Sequence, residues 1–156
     1  MLQGGKGGSA MIVPNAILLA EVSALVQEGK EVELLTKGCS MLPFIVGDRD
    51  SVRLRKESVD VWDAVLAEIA PGRYVLHRII SIAEDRVVLK GDGNLSGVET
   101  CGLSDVKAKA VAVIRPRGKE IDCTTAGYAR KVRFWGSLPR IVRRVWLAIL
   151  RRTICR

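Results

Sequence analysis

YVLHRIISIAEDRVVL, residues 74–89, decides the fold. Apolar side chains recur on alternate positions from Tyr74 to Ile82. They resume from Arg86 to Leu89 across the polar Ala83-Glu84-Asp85. Two alternating runs joined by a short polar break predict a β-hairpin. Working outward, the same period of two appears in Ala64–Ile69, before the Pro71-Gly72 turn, and in Ser51–Arg55. It returns in Val106–Ile114, and a shorter strand runs from Val32 toward Lys37. Short strands separated by turn signals predict a mostly β fold, an antiparallel barrel or sandwich. Asn15–Glu28 breaks the pattern. Its apolar residues at 17, 18, 22, 25 and 26 have helical spacing, with Asn15 as an N-cap and Gly29 as the stop.

The organisation follows from these elements. Residues 1–10 form a glycine-rich leader, and Met11 is a second candidate start. Residues 11–115 form the β domain with its N-terminal helix, 116–127 a linker, and 128–156 a basic tail. Within the tail, Arg140–Arg152 reads as an amphipathic helix with Ile141, Val142, Val145, Trp146, Ile149 and Leu150 on one broad face. Such helices suit membrane surfaces.

Charge sharpens the division. The chain of 156 residues carries a formal +8, and 48% of it is apolar, as expected of a folding chain. Nine of the 25 Lys and Arg, and none of the 17 Asp and Glu, fall in residues 126–156. The preceding body is thus close to neutral, which argues against a domain-wide nucleic-acid footprint. The cysteines, Cys39, Cys101, Cys123 and Cys155, form no CxxC pair, so neither a zinc site nor any other metal or cofactor is expected. With no secretory signal segment visible, reduced thiols in a cytoplasmic protein are the expectation. The longest apolar runs, near Met11–Ala20 and Val145–Leu150, fall short of the roughly 20 residues a bilayer span needs.

Three segments carry chemistry. Gly38-Cys39-Ser40-Met41-Leu42-Pro43, followed by Gly47-Asp48, can present a hydroxyl on a tight turn beside backbone N–H groups. Gly38 permits the turn and Pro43 stiffens it. Cys39 reads as a small packed residue rather than a nucleophile. The second segment, Val75–Ile79, contains His77, the chain's one histidine, in a strand where Val75, His77 and Ile79 share a face. On such a face a histidine is more often core than base, yet neutral imidazole is the usual acceptor of a serine proton. In the third segment, Lys90-Gly91-Asp92-Gly93-Asn94, a turn by composition, Asp92 can orient the imidazole. Asp48, Asp50 and Asp63 have no metal-ligand spacing, and Asp48 and Asp63 read as strand-entry turns.

In this order and context, the three segments resemble the superfamily of signal peptidase I and the self-cleaving repressors, over residues 36–94 and more loosely to Ile114. The resemblance implies a mostly β catalytic fold and a serine endopeptidase. Members divide by general base, lysine or histidine. VLHRI places His77 at the base position, so the chain is similar to the Ser/His branch. By this likeness Ser40 is the nucleophile, His77 the base and Asp92 the family's acidic residue. Gly38, Cys39, Met41 and Pro43 support the nucleophile turn and cleft, and Arg78 and Gly91 adjoin the site. Cys39 directly before the serine looks more like the repressors. The implied partner is an extended peptide or protein substrate, with a membrane contact through the tail and no nucleic acid. Two other readings stay open: a non-catalytic peptide-binding module of the same fold, and a repressor-like regulator. Finally, Thr124-Thr125-Ala126-Gly127 sets small residues before an Ala126–Gly127 bond, where self-processing would release the tail.

Overall fold

The computed structural model describes residues 15–155; the leader expected over residues 1–10 lies outside them. Helix α1 (Asn15–Gln27) comes first, followed by β1 (Val32–Leu35), β2 (Ser51–Arg55), β3 (Ala64–Ala70), β4 (Arg73–Ala83) and β5 (Arg86–Lys90). Then come β6 (Glu99–Gly102), β7 (Val106–Ile114), β8 (Glu120–Asp122), α2 (Ala126–Ser137) and α3 (Arg140–Thr153). α1 ends as its sequence predicts. Gly29 takes φ +90°, its N–H reaches Val26 O and the Lys30 N–H reaches Leu25 O, which closes the helix.

All strand pairs are antiparallel, and they form one sheet in the order β1-β2-β7-β3-β4-β5-β6, with β8 on β7. The strands therefore belong to an open sheet, where the sequence suggested a closed barrel or a two-layer sandwich. β7 is the reason. Over nine residues it pairs with β2 along one edge, and with β3 and then β8 along the other. One long strand thus joins what would otherwise be separate layers. Extra residues in β7, at Lys107 and Val111, and in β4, at Ile80, bend the sheet locally.

Central β3 is buried on both faces, so its sequence AVLAEIA reads as a near-continuous apolar run. Ala64 and Leu66 face a core built with α1, β1, β2 and β7, including Val22, Val26, Leu34, Val52 and Leu54. Val65 and Ala67 face a second core with Ile79, Val87 and Leu89. A third cluster, Leu42, Val46, Trp135 and Leu147, joins the β1–β2 loop to α2 and α3.

The expected linker, residues 116–127, contains β8 and a one-turn 3-10 segment. Its single apolar strand residue, Ile121, gives too little alternation to read as a strand, and backbone pairing to Val113 supplies the order. The tail forms two helices rather than one. Pro139 cannot continue α2 and serves as the N-cap of α3.

Candidate active site

The β1–β2 loop, residues 36–50, positions Ser40. It is stitched at its base: Asp48 N–H donates to Thr36 O, and Thr36 N–H and Oγ1 both donate to Asp50 O. The fully buried Asp50 carboxylate accepts the Val46 N–H at 2.9 Å and the Arg49 guanidinium at 2.7 Å. Asp48 pairs with Lys37, and Asp63 with Lys109. Among the described residues, no group of His, Cys, Asp or Glu could hold a metal ion.

Glycines let other segments close on the turn. Gly38 takes φ +76°, and a Cβ on Gly47 would collide with the Gly38 backbone. From the far side comes the Gly91-Asp92-Gly93 segment. Gly93 N–H donates to Ser40 O at 2.9 Å, and a Cβ on Gly91 would run into that same carbonyl. The Leu42–Pro43 peptide is cis. Ser40 is half-buried, and its hydroxyl and N–H, like the Met41 N–H, have no hydrogen-bond partner among the described residues.

Ser40 and His77 line the same cleft, of about 240 Å³, walled by Leu18 and Leu19 of α1, Leu34 of β1, Met41, Leu66 and Tyr74. Two strands with open backbone edges border it. Among the described residues, β1 pairs only with β2, and Arg73–His77 of β4 pair only with β3, because β5 joins β4 from Arg78 onward.

The imidazole and its neighbour Arg78 each find a carboxylate, though not as the sequence suggested. His77 Nδ1 lies 2.9 Å from Glu99 Oε2. Pairing explains the meeting. Glu99 opposes Leu89 and Leu89 opposes Ile79, so the three share a face, and His77 lies two residues along β4 on that face. A Glu99 acceptor favours the tautomer with the proton on Nδ1, in which Nε2 carries none. No hydrogen bond joins Ser40 to His77. Nothing in the local sequence singles out Glu99. β6 has little alternation, and only its pairing to β5 brings that carboxylate to the histidine.

Asp92, expected to orient His77, is bound to Arg78 instead. Arg78 Nε lies 2.8 and 3.0 Å from the two Asp92 oxygens, and Nη2 lies 2.7 Å from Oδ2. Nη1 donates to Trp62 O, and the guanidinium lies over Phe44 and Tyr128, 5.5 and 5.8 Å from their ring centres. Burial disfavours the Arg78 charge, but the Asp92 carboxylate outweighs it and raises the guanidinium's pKa above its ordinary value. Burial also pushes the Asp92 carboxyl up, against the pull of Arg78. The successive β4 residues point to opposite faces, and Asp92 hydrogen-bonds only Arg78, feeling His77 through its charge alone.

Cys39 and Cys155 are joined in a disulfide, 116 residues apart with Cα atoms at 6.1 Å, where reduced thiols were expected. The bond ties the end of α3 to the residue before Ser40 and leaves Cys39 no thiolate. Arg151 Nη2 adds a 2.8 Å bond to Gly93 O. Cys101 and Cys123 stay free, and burial pushes the Cys123 thiol up to about 11. The Ala126–Gly127 bond lies in the first turn of α2, capped by Thr125, and so is helical rather than extended.

No protein-family model matches the chain, and neither a curated protein nor a solved structure does.

Proposed function

We propose that the protein is a serine endopeptidase that cleaves an extended peptide segment through Ser40 and His77. One observation carries the reading. The turn serine and a histidine held at Nδ1 by Glu99 line one cleft bordered by two unpaired strand edges. A peptide laid along β1 or the start of β4 gains backbone hydrogen bonds, and the apolar walls receive its alternate side chains. Ser40 Oγ attacks the scissile carbonyl while His77 Nε2 takes its proton. The Ser40 and Met41 N–H groups hold the oxyanion, and His77 returns the proton to the leaving amine. Water then releases the acyl group by the same route. Glu99 keeps the imidazole in register and offsets its charge. The signal-peptidase likeness rests on the three motifs and belongs to this proposal.

The second reading, a peptide-binding module without hydrolysis, is favoured by the absent Ser40–His77 hydrogen bond. Catalytic hydrogen bonds often tighten only with substrate bound, so the peptidase reading does not require that bond in the free protein. Digestion of a peptide library, read by mass spectrometry, separates the two. Cleavage by the wild-type chain and none by Ser40→Ala supports the peptidase. Peptide retention with no cleavage by either supports the binding module.

A further inference from the structure

α3 sits on the fold with an unusual orientation. Its inward side carries Leu147, which is buried, and half-buried Arg143, while the exposed Arg151 bonds Gly93 O through its guanidinium. Its outward side carries Ile141, Val142, Val145, Trp146 and Ile149, spaced i, i+1, i+4, i+5 and i+8, which is one continuous helical stripe. These are not scattered surface residues. Ile141 is 70% exposed, Val145 57% and Trp146 54%, and Phe134 of α2 is exposed at 67%. A contiguous apolar face of this kind on a soluble domain marks an interaction surface.

The charge around the stripe tells what covers it. Arg130, Lys131, Arg133, Arg140 and Arg144 make no ion pair among the described residues, and residues 126–156 contain no acidic side chain. A second copy of the chain is a poor occupant. Symmetric pairing through this face would set each tail's cations against the other's. An apolar stripe bearing Trp146 and bordered by unpaired arginines matches a bilayer interface, where acyl chains receive the stripe and anionic headgroups the cations. We propose that α3, with Phe134 of α2, docks the protein in the plane of an anionic membrane surface. Ser40 then works close to that surface, since α3 is bonded through Cys155 to Cys39. The docking itself does not depend on the peptidase reading.

The test is co-sedimentation of the full chain with vesicles of phosphatidylcholine alone and with vesicles containing about one-third phosphatidylglycerol. Binding is expected to the anionic vesicles only, and to weaken when salt rises from about 0.1 to about 1 M. Trp146 emission should shift to the blue on binding. Val145→Glu with Ile149→Glu should cut binding roughly tenfold or more. These positions are exposed, so circular dichroism should be unchanged. If that pair misfolds, Ile141→Ser with Val142→Ser tests the same stripe. Equal recovery with neutral and anionic vesicles, no recovery with either, or binding indifferent to folded stripe variants would each overturn the proposal. A dimer that the variants dissociate, without vesicle binding, would overturn it in favour of a second copy. Capture by an acidic protein alone would overturn it in favour of a protein partner.

Discussion

His77 and Arg78 are neighbours on β4, each bonded to a carboxylate, yet the two pairs differ in kind. Arg78–Asp92 is sealed, with side chains 2% and 7% exposed, and is enclosed by Phe44, Tyr128 and Trp62 O. Trp135 Nε1 bonds the Asp92 carbonyl besides, so the pair joins the β1–β2 loop, the sheet and α2. His77–Glu99 stands beside the cleft, and its Glu99 side chain is 26% exposed. The sealed pair is bonded bidentately and covered by aromatic rings, which suits a brace. The open pair leaves Nε2 free, which suits chemistry. Within the proposed peptidase, the acidic residue most visible in the sequence therefore supports the fold, and a less visible one supports the base.

Substitutions can break this contrast. The largest effect on stability should come from Asp92→Ala, which strands a buried guanidinium. A loss of about 3–5 kcal/mol in urea unfolding is expected. A loss near zero would show that the pair is no brace. Next comes Cys155→Ser, which frees the tail from the Ser40 turn. It should cost about 2–4 kcal/mol, read the same way, and matched unfolding midpoints would deny the tie any role. Gly91→Ala pushes a methyl group against Ser40 O, which is backbone and cannot swing aside. About 1–3 kcal/mol is expected, with a fall in cleavage larger than the lost stability explains. Smallest in stability is Glu99→Gln, expected to shift unfolding by less than about 1 kcal/mol because the site is partly open. Its kcat should nonetheless fall roughly a hundredfold or more, the amide no longer stabilising the imidazolium. If Asp92→Asn lowers kcat in a fully folded protein and Glu99→Gln does not, the roles assigned to the two pairs are reversed.

The same contrast marks how far the sequence reads. β2 and β7 begin and end where the sequence places them, because β2 alternates apolar with polar or charged residues, β7 is apolar throughout its second half, and both have a clear break at either end. The hairpin of β4 and β5, the Gly29 stop and the turn around Ser40 were legible for the same local reasons. Long-range pairing was not. β7 serves three partners, which turned an expected barrel or sandwich into one open sheet. Glu99 meets His77 only through two strand registers, and Cys39 meets Cys155 across 116 residues. Local alternation carries no record of such meetings. KGDGN was noticed because glycines flank its acid, but those glycines let the segment approach the Ser40 turn, while the acid itself turns to Arg78.

The most direct test of the central claim is the steady-state cleavage of one peptide found by library digestion, compared across wild type, Ser40→Ala, His77→Ala and the double variant. Residues that act as one unit lose activity non-additively. Each single variant should therefore lose essentially all cleavage while keeping its circular dichroism, and the double variant should be no worse than either. Wild-type cleavage in His77→Ala beside a dead Ser40→Ala would contradict the Ser/His assignment. Undiminished cleavage in both would contradict the peptidase reading itself.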